Sequence, residues 1–209
     1  MTRTPKSESS RRRILDSARG VFFEQGFEAA SIDEMARRAG IAKGTVYRYF
    51  ESKAELYIAV LVENADHFVQ RMQATIEPAL PPDEQLRAIG RFYRRHYTEH
   101  PEYFRIFWAV ENQRLIGDVP ADLLAVVTDV WRRCLGLLAT QIERGVDVGL
   151  FRPCNAWQTA NLLWILANGL IQAETDPERR SMVGGERGEV FANGLDLLIL
   201  GLMAERAGG

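Results

Sequence analysis

The chain has 209 residues, 46% hydrophobic and 26% charged, the balance of a globular protein with a sizeable core; a disordered chain and a collagen-like repeat are excluded. Cys134 and Cys154 are its only cysteines, too few for a disulfide scaffold and not spaced as CxxC, so a reducing compartment is expected. The net charge of -2 conceals a polarity: residues 1–53 hold eleven Lys and Arg against seven acids, net +4, while the remainder holds fifteen against twenty-one, net -6. Such asymmetry suggests a polyanion-binding head on an acidic body.

In chain order, Ile14, Ala18, Val21 and Phe22 recur at helical spacing and predict a first helix over 10–25, stopped by Gly26. Ser31 with Glu34 has the spacing of a capping box and opens a short second helix over 32–39, ending at Gly40. The tight connection Gly40-Ile41-Ala42 leads to a two-turn third helix over 43–50 with Val46 and Phe50 inward. Ser52 with Glu55 opens a long fourth helix that continues until Pro78, Pro81 and Pro82 break the pattern.

Beyond the prolines, Leu86, Ile89, Tyr93 and Tyr97 predict a fifth helix with Arg87, Arg91, Arg94 and Arg95 on its outer face. Pro101 separates it from an aromatic-rich sixth, and a seventh spans 120–144. Asn155 with Gln158 caps an eighth helix that extends to 173; a loop over 175–185 precedes a ninth that ends near Arg206. No segment alternates as a half-buried strand does, so the expected fold is all-α with about nine helices.

Two short helices joined by a tight Gly-containing turn and braced by a preceding helix form a helix-turn-helix, which presents its second helix to the major groove. With Val46 and Phe50 turned inward, Lys43, Gly44, Thr45, Tyr47, Arg48 and Tyr49 are the candidate readers of double-stranded DNA. Lys53 sits in the first turn of the next helix, where its cation opposes the helix dipole and a phosphate would relieve it. Arg11, Arg12 and Arg13 can add sequence-independent attraction.

The segments Gly26-Phe27, Ser31-Ile32, Ala39-Gly40-Ile41, Lys43-Gly44-Thr45-Val46-Tyr47-Arg48-Tyr49-Phe50 and Ser52-Lys53-Ala54-Glu55-Leu56 resemble the TetR family of transcriptional regulators. The resemblance covers residues 10 to about 60. It implies a homodimeric, all-helical repressor with a three-helix DNA-binding head over 1–53 and a ligand-binding and dimerisation body over 54–209. It further implies that Thr45, Tyr47 and Lys53 hold phosphates or bases, that Ser31 is a phosphate-contacting helix start, and that Lys43, Gly44 and Tyr49 read bases. Arg48 falls where members differ, a place that helps to set the operator sequence.

In the body, the eighth helix, through Leu162, Trp164, Ile165 and Leu166, is apolar nearly all round, and so is the ninth, through Leu195, Leu197, Leu198 and Leu200. Helices of that kind need cover on both sides, and an intersubunit four-helix bundle of the last two helices supplies it, with Gly169, Gly194 and Gly201 allowing close approach. A two-fold dimer predicts a palindromic operator with half-sites about 34 to 36 Å apart. Tyr93, Phe104, Phe107, Trp108, Trp131 and Trp164 concentrate aromatic rings in the middle helices, as core packing or as the wall of a pocket for an apolar or aromatic effector, with Glu111 as its polar determinant.

His96-Tyr97-Thr98-Glu99-His100 matches HxxEH, the pattern of a zinc-dependent hydrolase. Pro101 follows at once and no third ligand is apparent, so the expectation is no metal, no cofactor and no enzyme. The alternative to a regulator is a helical ligand-binding or interaction module that does not bind DNA. The opening residues lack the apolar segment of a signal peptide and no apolar run approaches the roughly 18 residues of a membrane span, which predicts a cytoplasmic protein without a membrane partner.

Overall fold

The computed structural model describes residues 5–111, 121–186 and 188–204, with side chains over 8–106, 121–186 and 188–204. The helices are α1 (Pro5–Ala29), α2 (Ile32–Ala39), α3 (Lys43–Tyr47), α4 (Lys53–Glu63), α5 (Ala65–Gln73), α6 (Pro82–Glu99), α7 (Pro101–Glu111), α8 (Ala121–Asp147), α9 (Ala156–Thr175), α10 (Pro177–Val183) and α11 (Glu189–Leu202). Among the described residues the secondary structure is otherwise limited to one bridge between Phe151 and Met203, so the expected all-α class holds. The chain divides into two compact units, one of Met1–Asp66 with Pro101–Thr128, the other of His67–His100 with Asp129–Gly209.

The first unit therefore contains α4 and α7 as well as the three head helices. Its core is made by the apolar stripe of α1, where Ile14, Leu15, Ala18, Val21 and Phe22 are buried, against Met35 of α2, Val46 of α3 and Leu56 and Val60 of α4. The break expected at Gly26 is present as a φ of 75° inside α1. Beyond it Phe27 turns back onto Tyr57, ring centroids 4.9 Å apart, and Tyr57 meets Phe22 edge-on at 4.7 Å. Tyr103 of α7 meets Phe23 of α1 edge-on at 5.0 Å.

The second unit packs α6, α9 and α11 with the greater part of α8 around Leu86, Ile89, Ile142, Leu163, Ile171 and Ile199, all buried. Two ion pairs moor α6: Arg87 to Asp196 of α11 at 2.8 Å, and Arg94 to Glu174 of α9 at 3.1 Å. The proline turn before α6 is clasped by the buried Gln85, whose Oε1 accepts from the Glu77 amide at 2.9 Å and whose Nε2 donates to the carbonyls of Glu77 and Leu80.

The predicted long fourth helix is two helices. Asn64 ends α4 at φ -98°, ψ -3°, and its side-chain Nδ2 donates to the Val60 carbonyl, the competition with the backbone that makes Asn a poor helix-interior residue. The predicted loop over 175–185 contains α10, because Asp176 accepts from the amides of Glu178 and Arg179 and Pro177 is preset for the first helical turn. The third helix is shorter than expected, ending at Tyr47, with Phe50 still bonded back to Val46 at 3.0 Å.

Candidate nucleic-acid interface and effector cavity

The turn between α2 and α3 is built by Gly40, whose φ of 62° and ψ of 41° lie in the left-handed region that costs other residues about 1–2 kcal/mol. Its amide bonds the Arg37 carbonyl at 3.1 Å and the Ile41 amide bonds that of Ala36 at 3.0 Å, the paired reverse bonds that stop a helix and redirect the chain. Arg13 of α1 donates to the carbonyls of Ala39 and Gly40, so the turn is held from behind as well.

The short α3 is thereby fixed with Val46 and Phe50 in the core and Lys43, Gly44, Tyr47 and Arg48 outward, Tyr47 at 47% exposure. Thr45 and Tyr49 are half-buried, and Ser31 is exposed, its Oγ accepting from the Glu34 amide at 3.2 Å. The capping box is one-sided: the Glu34 carboxylate turns to Arg37 and Arg38. Their guanidinium hydrogen bonds hold it at about 2, far below the usual carboxylate range. Arg38 also bonds Glu24 of α1 at 2.6 Å, tying α2 to α1.

Lys43 forms an ion pair with Asp33 at 2.8 Å, and the hydrogen bond raises its pKa. Lys53 has partners within the protein. Its Nζ donates to the carbonyls of Glu28 and Ala30, both at 3.1 Å, and lies 4.5 Å from the centre of the Phe27 ring. Arg11 lies over the Phe50 ring at 5.3 Å. The positive charge of the head is thus partly paired within the fold: Arg13 and Arg38 bond groups of other elements and Arg37 bonds Glu34 of its own helix, all at the exposed surface, as are Arg12 and Arg48.

In the second unit a cavity of about 30 Å³ lies among α5, α6, α8, α9 and α11, walled by Met72, Leu86, Ile89, Leu138 and Leu195 with Tyr93 and Trp164. Tyr93 and Trp164 pack with ring centroids 4.9 Å apart, and the Tyr93 hydroxyl donates to Asn168 Oδ1 at 2.6 Å. The other expected ligand residues are distributed otherwise. Phe104 is buried in the first unit, and Trp131 is half-buried on α8 outside the cavity wall. The side chains of Phe107, Trp108 and Glu111 lie outside the described residues.

His96 is half-buried among the rings of Phe68, Phe92, Tyr97 and His100, the closest being Phe68 at 4.7 Å. Burial, with the nearby charges of His100 and Arg71, pulls its pKa down to about 4. Among the described residues no group of three or more His, Cys, Asp or Glu is arranged to hold a metal, and no helix is long and apolar enough to cross a membrane.

A family model described as bacterial regulatory proteins, tetR family, matches residues 14–60. The HTH-type transcriptional activator FasR of Mycolicibacterium smegmatis is 38% identical over 177 residues, which cover 85% of this chain and 74% of FasR. The chain belongs to the TetR family. This TetR-family transcriptional regulator is also 31% identical over 148 residues to the fatty acid metabolism regulator protein of Bacillus subtilis, covering 66% of this chain and 74% of that one. In fold it is similar to the crystal structure of the regulator FadR from Bacillus subtilis in complex with stearoyl-CoA, with a TM-score of 0.69 at 18% identity over 92% of this chain and 99% of that one.

For a TetR-family chain the head motif is dense in sequence signals, whereas the cavity wall is not. Leu86, Ile89, Leu138 and Leu195 carry the same 3.6-residue periodicity as any core position. Asn168 had one signal: a polar residue amid the apolar eighth helix.

Proposed function

We propose that this TetR-family regulator is a ligand-responsive repressor in which residues 1–53 bind a palindromic DNA operator, residues 54–209 dimerise and bind an effector, and an apolar small molecule releases the DNA. The observation that carries the reading is the sidedness of α3, with Val46 and Phe50 buried and Lys43, Gly44, Tyr47 and Arg48 outward. A major groove about 12 Å wide takes such a helix, its outward side chains on base edges and the flanking Ser31, Thr45, Tyr49 and Lys53 on phosphates or bases.

Dimerisation is supported by the faces that α9 and α11 leave uncovered. Leu162 and Ile165 are 58% and 65% exposed, Leu197 and Leu200 are 72% and 60% exposed, and a Cβ added at Gly169 or Gly201 would meet no atom of the second unit within 4 Å. A second copy of the same two helices covers them as a four-helix bundle. The effector class is drawn from the apolar cavity together with the fatty acid metabolism regulator and the stearoyl-CoA-bound FadR: a long-chain acyl compound. It acts only to the extent that it prefers a dimer whose heads are misplaced for successive grooves. The reading includes no enzymatic role for His96 and His100, and it places the protein in the cytoplasm with the DNA it reads.

The test is selection of fragments of the source genome by the full chain, footprinting of the bound site, and transcription from it with and without stearoyl-CoA. A two-fold symmetric footprint that is lost on adding stearoyl-CoA, with transcription rising, is expected. An unsymmetrical site, or one indifferent to acyl compounds, overturns the operator or effector part respectively. The name of FasR favours a second reading, activation, in which transcription falls when the protein leaves its site.

A further inference from the structure

We infer that Asp33 is a positioning residue for base reading: paired with Lys43 across the helix-turn-helix, it keeps that cation off the phosphates and reserves it for a base acceptor. The operator is then preferred more strongly and sequence-independent affinity is lower. The inference rests on the DNA-binding reading above and adds a residue that restrains a reader of the duplex.

Asp33 is the second residue of α2, two after the cap Ser31, and Lys43 is the first of α3. Lys43 Nζ donates to Asp33 Oδ2 at 2.8 Å, which joins the starts of the two helices over the turn. Helical spacing offers Asp33 another partner, since Arg37 stands one turn further along α2. Arg37, however, bonds both oxygens of Glu34 through two nitrogens, and Glu34 also takes Arg38. Asp33 is thereby left to the cation of the other helix.

The pair does little for the fold. Both side chains are half or more exposed, and ion pairs so exposed contribute little to stability. The turn between the helices is already set by Gly40 and by Arg13 on the carbonyls of Ala39 and Gly40. What the pair does change is the charge on the outward side of α3, where Lys43, Gly44, Tyr47 and Arg48 stand exposed.

A lysine is a flexible point charge, and alone beside a duplex it goes to a phosphate of any sequence. With Asp33 the pair has no net charge with which to displace counterions. An ammonium nevertheless has three donors, and one of them serves the carboxylate. The other two remain for a neutral acceptor such as guanine O6 or N7, a contact that leaves the ion pair in place. A phosphate instead brings a second anion close to Asp33, and that repulsion falls on every sequence that offers Lys43 no base acceptor. The carboxylate discriminates through what it makes unfavourable.

The experiment uses the full chain and two duplexes of equal length: a site that the wild type selects from a random-sequence pool, and a scrambled version of it. Affinities are measured by fluorescence anisotropy across a salt series. Asp33→Asn is expected to bind the scrambled duplex about tenfold more tightly, with a salt slope steeper by about 1, the weight of one added phosphate contact. Its affinity for the selected site is expected to change by less than about threefold, because Lys43 keeps its base acceptor there. Equal gains on both duplexes reduce Asp33 to a general negative charge, and unchanged affinities and slopes remove it from the interface; either result overturns the inference. With Lys43→Met in place, Asp33→Asn is expected to shift both duplexes alike, because no cation is left to restrain. A loss of preference that persists in that background shows Asp33 reading a base itself, which also overturns the inference. If the wild type enriches no site from the pool, the DNA-binding reading fails and this inference with it, whereas a selected site that Asp33→Asn treats as the wild type does leaves that reading standing.

Discussion

The ammonium nitrogen of Lys53 lies 3.1 Å from the carbonyl oxygen of Ala30, so the residue that opens α4 also pins the turn from which Ser31 caps α2. A cation is unfavourable at a helix N-terminus, and here two carbonyls and the face of Phe27 offset that cost. Replacing Lys53 by Met keeps the stem and removes the charge. The expected loss is about 1–2 kcal/mol, read from urea unfolding, with weaker operator binding. A salt slope reduced by about 1 identifies a phosphate contact in addition; an unchanged slope leaves the residue as a clasp alone.

Gly40→Ala is expected to destabilise by about 1–2 kcal/mol, because the left-handed backbone at φ 62° is forced on a residue with a Cβ. That Cβ would also stand 3.0 Å from the Arg13 guanidinium that braces the turn. Thermal unfolding measures the effect, and a melting temperature equal to wild type contradicts it.

His96 gives stability a pH dependence of definite sign. Its folded pKa of about 4 lies below the ordinary 6.5, so the unfolded chain takes up the proton first. The contribution of the neutral ring is complete above pH 6.5, is lost progressively as pH falls from 6.5 towards 4, and is absent below. Wild type should therefore lose stability relative to His96→Phe over that interval, as compared by urea midpoints at pH 7.5, 5.5 and 4.5. Parallel profiles would remove the assignment.

Leu197→Glu places a charge at a position that is 72% exposed in the single chain. Its effect on the folding of one chain should be within about 0.5 kcal/mol, as for ordinary surface changes. Across a two-fold interface the same change buries two carboxylates, so sedimentation should report a monomer and operator affinity should fall by at least tenfold. A variant that still sediments as a dimer shows that α11 is not the interface.

How far these features were legible in the sequence depends on what carried the signal. The head was legible because its turns need particular residue types: Gly26 and Gly40 at positive φ, and Ser31 and Ser52 as side-chain caps. The split of the fourth helix hung on one Asn64, whose weak preference against helix is ordinarily overridden, and α10 lay in a stretch whose Pro and paired Gly read as loop. The aromatic residues were a partial guide to the cavity, since Tyr93 and Trp164 stand in its wall. Phe104 packs in the first unit, whereas aliphatic side chains indistinguishable from core supply most of the wall. The direction of a charge was not legible either, since Lys53 and Arg13 find carbonyls from residues more than twenty positions away.

A mutational scan of the head would therefore mix two kinds of arginine. Alanine at Arg13 or Arg38 is expected to weaken operator binding by loosening the head and so to resemble the loss of a DNA contact, yet the partners removed are Ala39, Gly40, Glu24 and Glu34. A melting curve beside each binding curve separates the two classes: arginines that hold the head together are expected to lower both, and those that act on the duplex alone, as proposed for the exposed Arg48, only one.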